Sequence, residues 1–243
     1  MNPYDSLARI PLDYPYPDRP HRIHVALTNH CNRSCPWCCT CSSPSGNTWL
    51  DFETFTTLLP KEGLFQIQLE GGEPTLHPRF WDFVKIAQSH SRCDRLILCT
   101  NGVVLPRKRD ALRAWLKRMG EPCTIKLSIN HHLLDHDKGL IPLAQELRDG
   151  CAESEGDQSL VLSVRRRRGY EQDDQRVVDA VTEAGLMEHA NIFYLKRYGF
   201  ASEEAEWDDP VPSVPVDFTM ITPDGQTFGP DLVARSEAMR SLD

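Results

Sequence analysis

Thr124-Ile125-Lys126-Leu127-Ser128-Ile129-Asn130 carries a polar side chain at every second position. A strand shows alternate residues to opposite faces. One face of this segment is therefore apolar, and the other holds Thr124, Lys126, Ser128 and Asn130. Gln66, Gln68 and Glu70 repeat the pattern, and so do Ser163 and Arg165. Strand-like runs at His24–Thr28, Leu64–Leu69, Arg95–Thr100, Thr124–Asn130, Leu160–Arg165 and Ile192–Lys196 alternate with helix-like runs near Phe52–Leu59, Pro78–Ser89, Arg107–Arg118, Leu140–Arg148 and Asp173–Ala184. Repeated βα units imply a parallel sheet with right-handed crossovers. Where helices cover such a sheet, its outward face is apolar, so the polar set points into a lumen. The expected fold is α/β, a partial (βα)6 TIM-like barrel. Gly150 and Gly185 suit helix C-termini.

The flanks differ from this core. Residues 1–20 hold five prolines and no periodicity, which predicts an N-terminal arm before a core spanning 21–201. Phe200–Asp217 is acidic and proline-rich, and predicts irregular chain. Val216–Ile221 and Gln226–Phe228 flank Thr222-Pro223-Asp224-Gly225, a turn sequence, and predict a short C-terminal hairpin. The whole of 202–243 is expected to act as a lid anchored by Trp207, Phe218 and Phe228, because six βα units leave a gap in an eight-fold barrel.

Hydrophobic residues make up 40% and charged residues 26% of the 243, as in ordinary globular proteins. Thirty-five acidic against 27 basic side chains leave a net charge of −8, which argues against a wide nucleic-acid footprint. No apolar run reaches bilayer-spanning length, and the first residues lack an apolar core of signal-peptide length. The expected location is cytoplasmic.

Five of the nine cysteines lie between Cys31 and Cys41, directly after the first strand-like run. Clustered cysteines in a cytosolic chain point to a metal or to redox chemistry. Cys31, Cys35 and Cys38 are spaced C-x-x-x-C-x-x-C. Three such thiolates suit an iron–sulfur cube with one iron left open, whereas zinc usually takes four ligands. Cys39 and Cys41 keep a four-cysteine site open as well. Cys99 and Cys123 sit in apolar runs and read as small core residues.

This loop resembles the signature of the radical S-adenosylmethionine (radical SAM) superfamily. Gly71-Gly72-Glu73-Pro74 follows the second strand as that superfamily's GGEP motif does. Thr100-Asn101-Gly102 matches its TNG turn, Ser128 and Asn130 its SxD or SxN strand end, and Arg197–Ala201 its GRA-type segment. The resemblance implies that Cys31, Cys35 and Cys38 hold a [4Fe-4S] cluster whose open iron binds the amino and carboxylate groups of S-adenosyl-L-methionine (SAM). It implies Trp37 beside the adenine, Gly71, Gly72, Glu73 and Pro74 around the methionine amine, Ser128 and Asn130 at the ribose, and Arg165 at the carboxylate. Against this, Arg165 to Arg168 form a charge run, and such runs are usually solvated. The implied activity is reductive cleavage of SAM to a 5′-deoxyadenosyl radical that takes a hydrogen atom from a small-molecule or peptide substrate. The electron donor would be a flavodoxin or ferredoxin.

Three alternatives stand beside it. Glycyl-radical-enzyme activating enzymes usually carry glycine before the first cysteine, where this chain has His30. They also show Asp-x-Lys in the fourth strand, where this chain reads Lys126-Leu127-Ser128. 7-Carboxy-7-deazaguanine synthase has a similar Cys35-Pro-Trp-Cys38 loop but Asp-Thr where Cys39-Thr40 stands. A non-catalytic iron–sulfur or zinc protein needs neither GGEP nor a polar lumen. Ile221–Gly229 resembles the start of a cysteine-rich extension, yet no cysteine follows Cys151, so no auxiliary cluster is expected. His131, His132, Asp135, His136 and Asp137 read as a solvated loop or as pocket lining.

Overall fold

The computed structural model describes residues 20–154, 156–203 and 211–242. The expected N-terminal arm and Trp207 lie outside these residues, apart from Pro20. Six parallel strands run in order: β1 His21–Ala26, β2 Phe65–Glu70, β3 Cys93–Thr100, β4 Cys123–Ile129, β5 Gln158–Arg166 and β6 Ala190–Tyr194. The helices are α1 Phe52–Leu58, α2 Phe80–Ser89, α3 Arg109–Met119, α4 His131–His136, α5 Leu140–Glu153, α6 Glu171–Glu183 and α7 Leu232–Arg240. The hairpin is present as β7 Thr219–Ile221 and β8 Thr227–Phe228, but it does not stand apart. β7 pairs in parallel with the free edge of β1, giving the order β6-β5-β4-β3-β2-β1-β7-β8 in one open sheet.

The alternation seen in the sequence divides the strands as expected. Ile23 and Val25, Ile67 and Leu69, Leu96 and Leu98, Ile125 and Leu127, and Leu162 and Val164 are buried in one apolar core. Onto them pack Phe55 of α1, Phe83 of α2, Leu112 and Leu116 of α3, Leu147 of α5 and Val177 of α6. The opposite face carries polar groups in contact across strands. Lys126 Nζ donates to Gln68 Oε1 at 2.9 Å, and Gln68 Nε2 lies 3.1 Å from His24 Nδ1 and bonds the Glu70 carboxylate.

Two local expectations are corrected. α5 runs through Gly150 to Glu153. A Cβ on Gly150 would lie 2.5 Å from atoms of both Arg113 and Leu116, so this glycine lets two helices approach rather than ending one. Gly185 does follow α6 with φ 67. The segment after β4 is not an open polar loop. Asn130 caps it, its side-chain oxygen accepting from Leu133 N at 2.9 Å, and it winds into α4.

From α7, the Arg235 guanidinium enters the lumen and pairs with Glu70 at the end of β2; both side chains are largely buried. Burial alone would raise the Glu70 carboxyl, but the Arg235 guanidinium, helped by a hydrogen bond from His24, holds it well below the carboxylate range. A carboxylate depressed in the folded state contributes stability that is full above its unfolded value, near 4.5, and is lost as pH falls through the folded value. Arg235→Met leaves a buried charge without its main partner and should cost about 3 kcal/mol. Urea unfolding at pH 7 reads this. An unchanged midpoint would mean that the pair contributes nothing.

Candidate active site

The loop leaving β1 is wound by short backbone contacts. Cys31 N donates to Ser43 O at 2.9 Å, Cys38 N to Cys35 O at 3.1 Å and Cys41 N to Cys38 O at 3.3 Å. These turns bring Cys31, Cys35 and Cys38 near one another. Burial pushes the Cys31 thiol up to about 12, and the charges of Glu73 and Cys38 add to that. Burial likewise pushes Cys35 up to about 12, with Cys38 and Cys31 contributing. Cys38 is raised by burial and then by Cys39. Three closely placed thiols, Cys31 buried and Cys35 and Cys38 half-buried, are poor thiolates on their own, and a cationic iron centre is the kind of partner that would deprotonate them. Donors already face two of the sulfurs. Ser42 N lies 3.5 Å from Cys38 Sγ, and Asn101 Nδ2 lies 3.6 Å from Cys31 Sγ. By its chemistry the donor set fits an iron–sulfur cluster, although among the described residues no three His, Cys, Asp or Glu side chains converge closely enough to hold a single metal ion.

The two remaining cysteines of the loop point elsewhere. Cys41 has φ 48, and its buried sulfur lies 3.6 Å from both the carbonyl and the hydroxyl of Ser236 in α7. Cys39 accepts from Arg165 Nη1 at 3.7 Å, and its sulfur also bonds Tyr198.

At the end of β2, Gly71 has φ 126, and a Cβ there would sit 2.4 Å from Thr28 O. A Cβ on Gly72 would sit 2.0 Å from His30 O. Gly72 N donates to Thr28 O at 2.7 Å and Glu73 N to His30 O at 2.9 Å. Glycine is thus demanded at once by the chain's own backbone. Thr40 Oγ1 donates to Gly71 O at 3.1 Å, tying the cysteine loop to the same place. Glu73 is fully buried. Its carboxylate accepts from Thr100 Oγ1 and from Asn101 N, both at 2.8 Å, and from Thr75 Oγ1 at 2.5 Å. Burial raises it, with these bonds acting in the opposite sense. Pro74, also buried, opens a short 3-10 turn over Pro74–Leu76. Glu73 clamps the ends of β2 and β3 together.

Trp37 is buried against Ala201 and Leu195. The Arg167 guanidinium lies 3.7 Å from its ring centre and 3.4 Å from that of Tyr170. His131 packs 5.0 Å from Trp37 and sets Nδ1 3.4 Å from Asp174 Oδ1. Asn130 spends its side-chain oxygen on the α4 cap, and Ser128 stands in register with Ser163. The arginine run is not a solvated one. Arg165 turns towards Cys39 with a buried Nε that lacks a partner, Arg166 lies over Tyr194, Arg167 is buried, and Arg168 is exposed. Of the scattered cysteines, Cys123 is buried, whereas Cys99 stands beside Lys126 on the lumen side. Sequence reasoning missed Arg235 as a lining group, since α7 reaches the mouth only through the fold, and it did not single out Tyr198 within Arg197–Ala201 or Arg167 within the arginine run.

No family model matches the chain. It is 38% identical over 93 residues to the GTP 3′,8-cyclase of Chlorobaculum tepidum, a match covering 37% of this chain and 28% of that one. It is 32% identical over 91 residues to molybdenum cofactor biosynthesis protein 1 of Homo sapiens, covering 35% and 14%. The chain thus matches less than a third of the length of these relatives. Its fold is similar to that of Streptococcus suis SuiB, solved bound to the precursor peptide SuiA. The TM-score is 0.57 at 13% identity, over 78% of this chain and 43% of SuiB. A cysteine loop after β1, bonded to a glycine-rich turn after β2 on an open, mostly parallel sheet, is the arrangement that the resemblance to the radical SAM superfamily implies.

Proposed function

We propose that this chain is a radical SAM enzyme acting on a small molecule or peptide seated in the lumen. The observation that carries the reading is the meeting of Cys31, Cys35 and Cys38 with the Gly71–Pro74 turn at the C-terminal ends of the strands, where barrel chemistry collects. A [4Fe-4S] cluster held by Cys31, Cys35 and Cys38 would supply the electron for reductive cleavage of SAM. The chain's own residues bind and orient. Cys31, Cys35 and Cys38 are the cluster ligands. Gly71, Gly72, Glu73 and Pro74 frame the place of the methionine amine, with Glu73 acting through Thr100 and Asn101. Arg165 offers its unpartnered Nε to the SAM carboxylate. Trp37 backs the adenine, and Ser128 and Asn130 lie on the ribose side.

Water is excluded from above. Phe218 stacks on His24 with centroids 3.7 Å apart, and Leu242 O accepts from Asn29 Nδ2 at 3.5 Å and from Thr48 Oγ1 at 3.3 Å. These contacts support a covering role over the mouth for the described part of the extension, 211–242. Because β7 also extends the sheet, truncation after Ala201 should lower cluster occupancy as well as coupling. A flavodoxin or ferredoxin is the proposed electron donor. The relatives' cyclase activity is one form such chemistry takes, and radical chemistry on a nucleotide is the second reading.

Anaerobic reconstitution tests the proposal. A [4Fe-4S] absorption and a reduced-state resonance that shifts on adding SAM are expected. A cluster indifferent to SAM would leave an iron–sulfur scaffold instead.

A further inference from the structure

We propose that Lys126 anchors an anionic group of the substrate, a carboxylate or a phosphate, inside the barrel; this rests on the lumen being the substrate site. The argument begins with charge. Lys126, Arg165 and Arg235 face the lumen around Glu70. The acid they meet is Glu70, and it is committed to Arg235, with His24 Nδ1 3.4 Å away and the Gln68 amide also bonded to it. Burial keeps His24 towards its neutral form. Among the described residues, neither Lys126 nor Arg165 makes an ion pair with a carboxylate. Lys126 has the neutral Gln68 oxygen at 2.9 Å, and Arg165 has the Cys39 sulfur and a buried, unpartnered Nε. Cations withdrawn from water are kept when an anion pairs with them. SAM brings one carboxylate, taken by Arg165. Lys126 is then left for the substrate.

The surroundings fit a polar, acidic molecule. Gln68 is oriented by bonds from its amide to His24 and Glu70, so its oxygen holds the ammonium in place without neutralising it. Ser128 follows Lys126 on the same face, about 7 Å along the strand. Ser163 stands beside Ser128, and Arg165 follows Ser163. The hydroxyls therefore lie between the two cations. A substrate with an acidic end at Lys126 and hydrogen-bonding groups along these serines would present its middle towards the cofactor.

The test titrates reconstituted, SAM-saturated protein with inorganic pyrophosphate and, separately, with glutarate, by calorimetry. Saturable binding of one of them is expected, and the stronger of the two identifies phosphate or carboxylate. Lys126→Gln should weaken it at least tenfold, as loss of a charge-assisted bond does. Lys126→Arg should stay within about threefold of the parent on the same grounds, and thermal melting establishes that both variants are folded. Equal binding in the parent and Lys126→Gln would overturn the proposal. So would absence of binding by either anion, or loss in Arg165→Gln with retention in Lys126→Gln. The same titration on cluster-free protein separates the two readings. Lys126-dependent anion binding alongside a cluster indifferent to SAM would uphold the anion site and remove the proposed chemistry.

Discussion

Alanine at Cys31, Cys35 or Cys38 is expected to abolish 5′-deoxyadenosine release under dithionite, while Cys41→Ala and Cys39→Ala keep most of it. Burial disfavours all three of these thiols as free thiolates, so each has a partner to gain from an iron centre. Cys41 is turned by its left-handed backbone against Ser236 and cannot face the same centre. Cys39 faces Arg165 and Tyr198 in the lumen. Iron content per chain, measured together with turnover, separates loss of the cluster from loss of chemistry. A Cys39→Ala protein as inactive and as iron-poor as Cys35→Ala would refute the ligand set.

Gly72→Val should cripple the protein through its fold and not only through cofactor affinity. The new Cβ would stand 2.0 Å from His30 O, a backbone atom that cannot swing aside. Either the β2 turn or the cysteine loop must move, and the bonds from Gly72 N and Glu73 N stretch with it. Overpacking of this kind costs about 3 kcal/mol or more, which for a chain of this size lowers the melting temperature by roughly 6 °C or more. Reconstituted iron should fall in parallel. A Gly72→Val protein with parental melting temperature and iron content, but weakened SAM binding in calorimetry, would mean that this glycine only clears space for the ligand.

Much of the barrel was legible because its code is local. Thr124 to Asn130 alternate with period two, and the structure buries Ile125, Leu127 and Ile129 while leaving Lys126 and Ser128 on the lumen side. Helix interiors were equally readable, since burial follows apolar spacing at Phe80, Phe83, Val84 and Ala87. Errors fell where one residue type serves two ends. Gly150 reads as a stop signal but packs against Arg113 and Leu116. The histidine-rich stretch after β4 reads as solvated, yet an Asn130 cap and the Trp37 and Tyr170 rings hold it as a helix.

By itself, the sequence determined the βα alternation, the inward polar face, and the cysteine spacing beside the GGEP turn, because each depends on neighbours within a few residues. The tertiary structure alone decided that Arg235, far along the chain, neutralises Glu70, that Cys39 and Cys41 diverge, and that β7 extends the sheet beside β1. Those outcomes depend on which distant segments share a low-dielectric space. Burial turns a charge or a thiol there into a group that must find a partner.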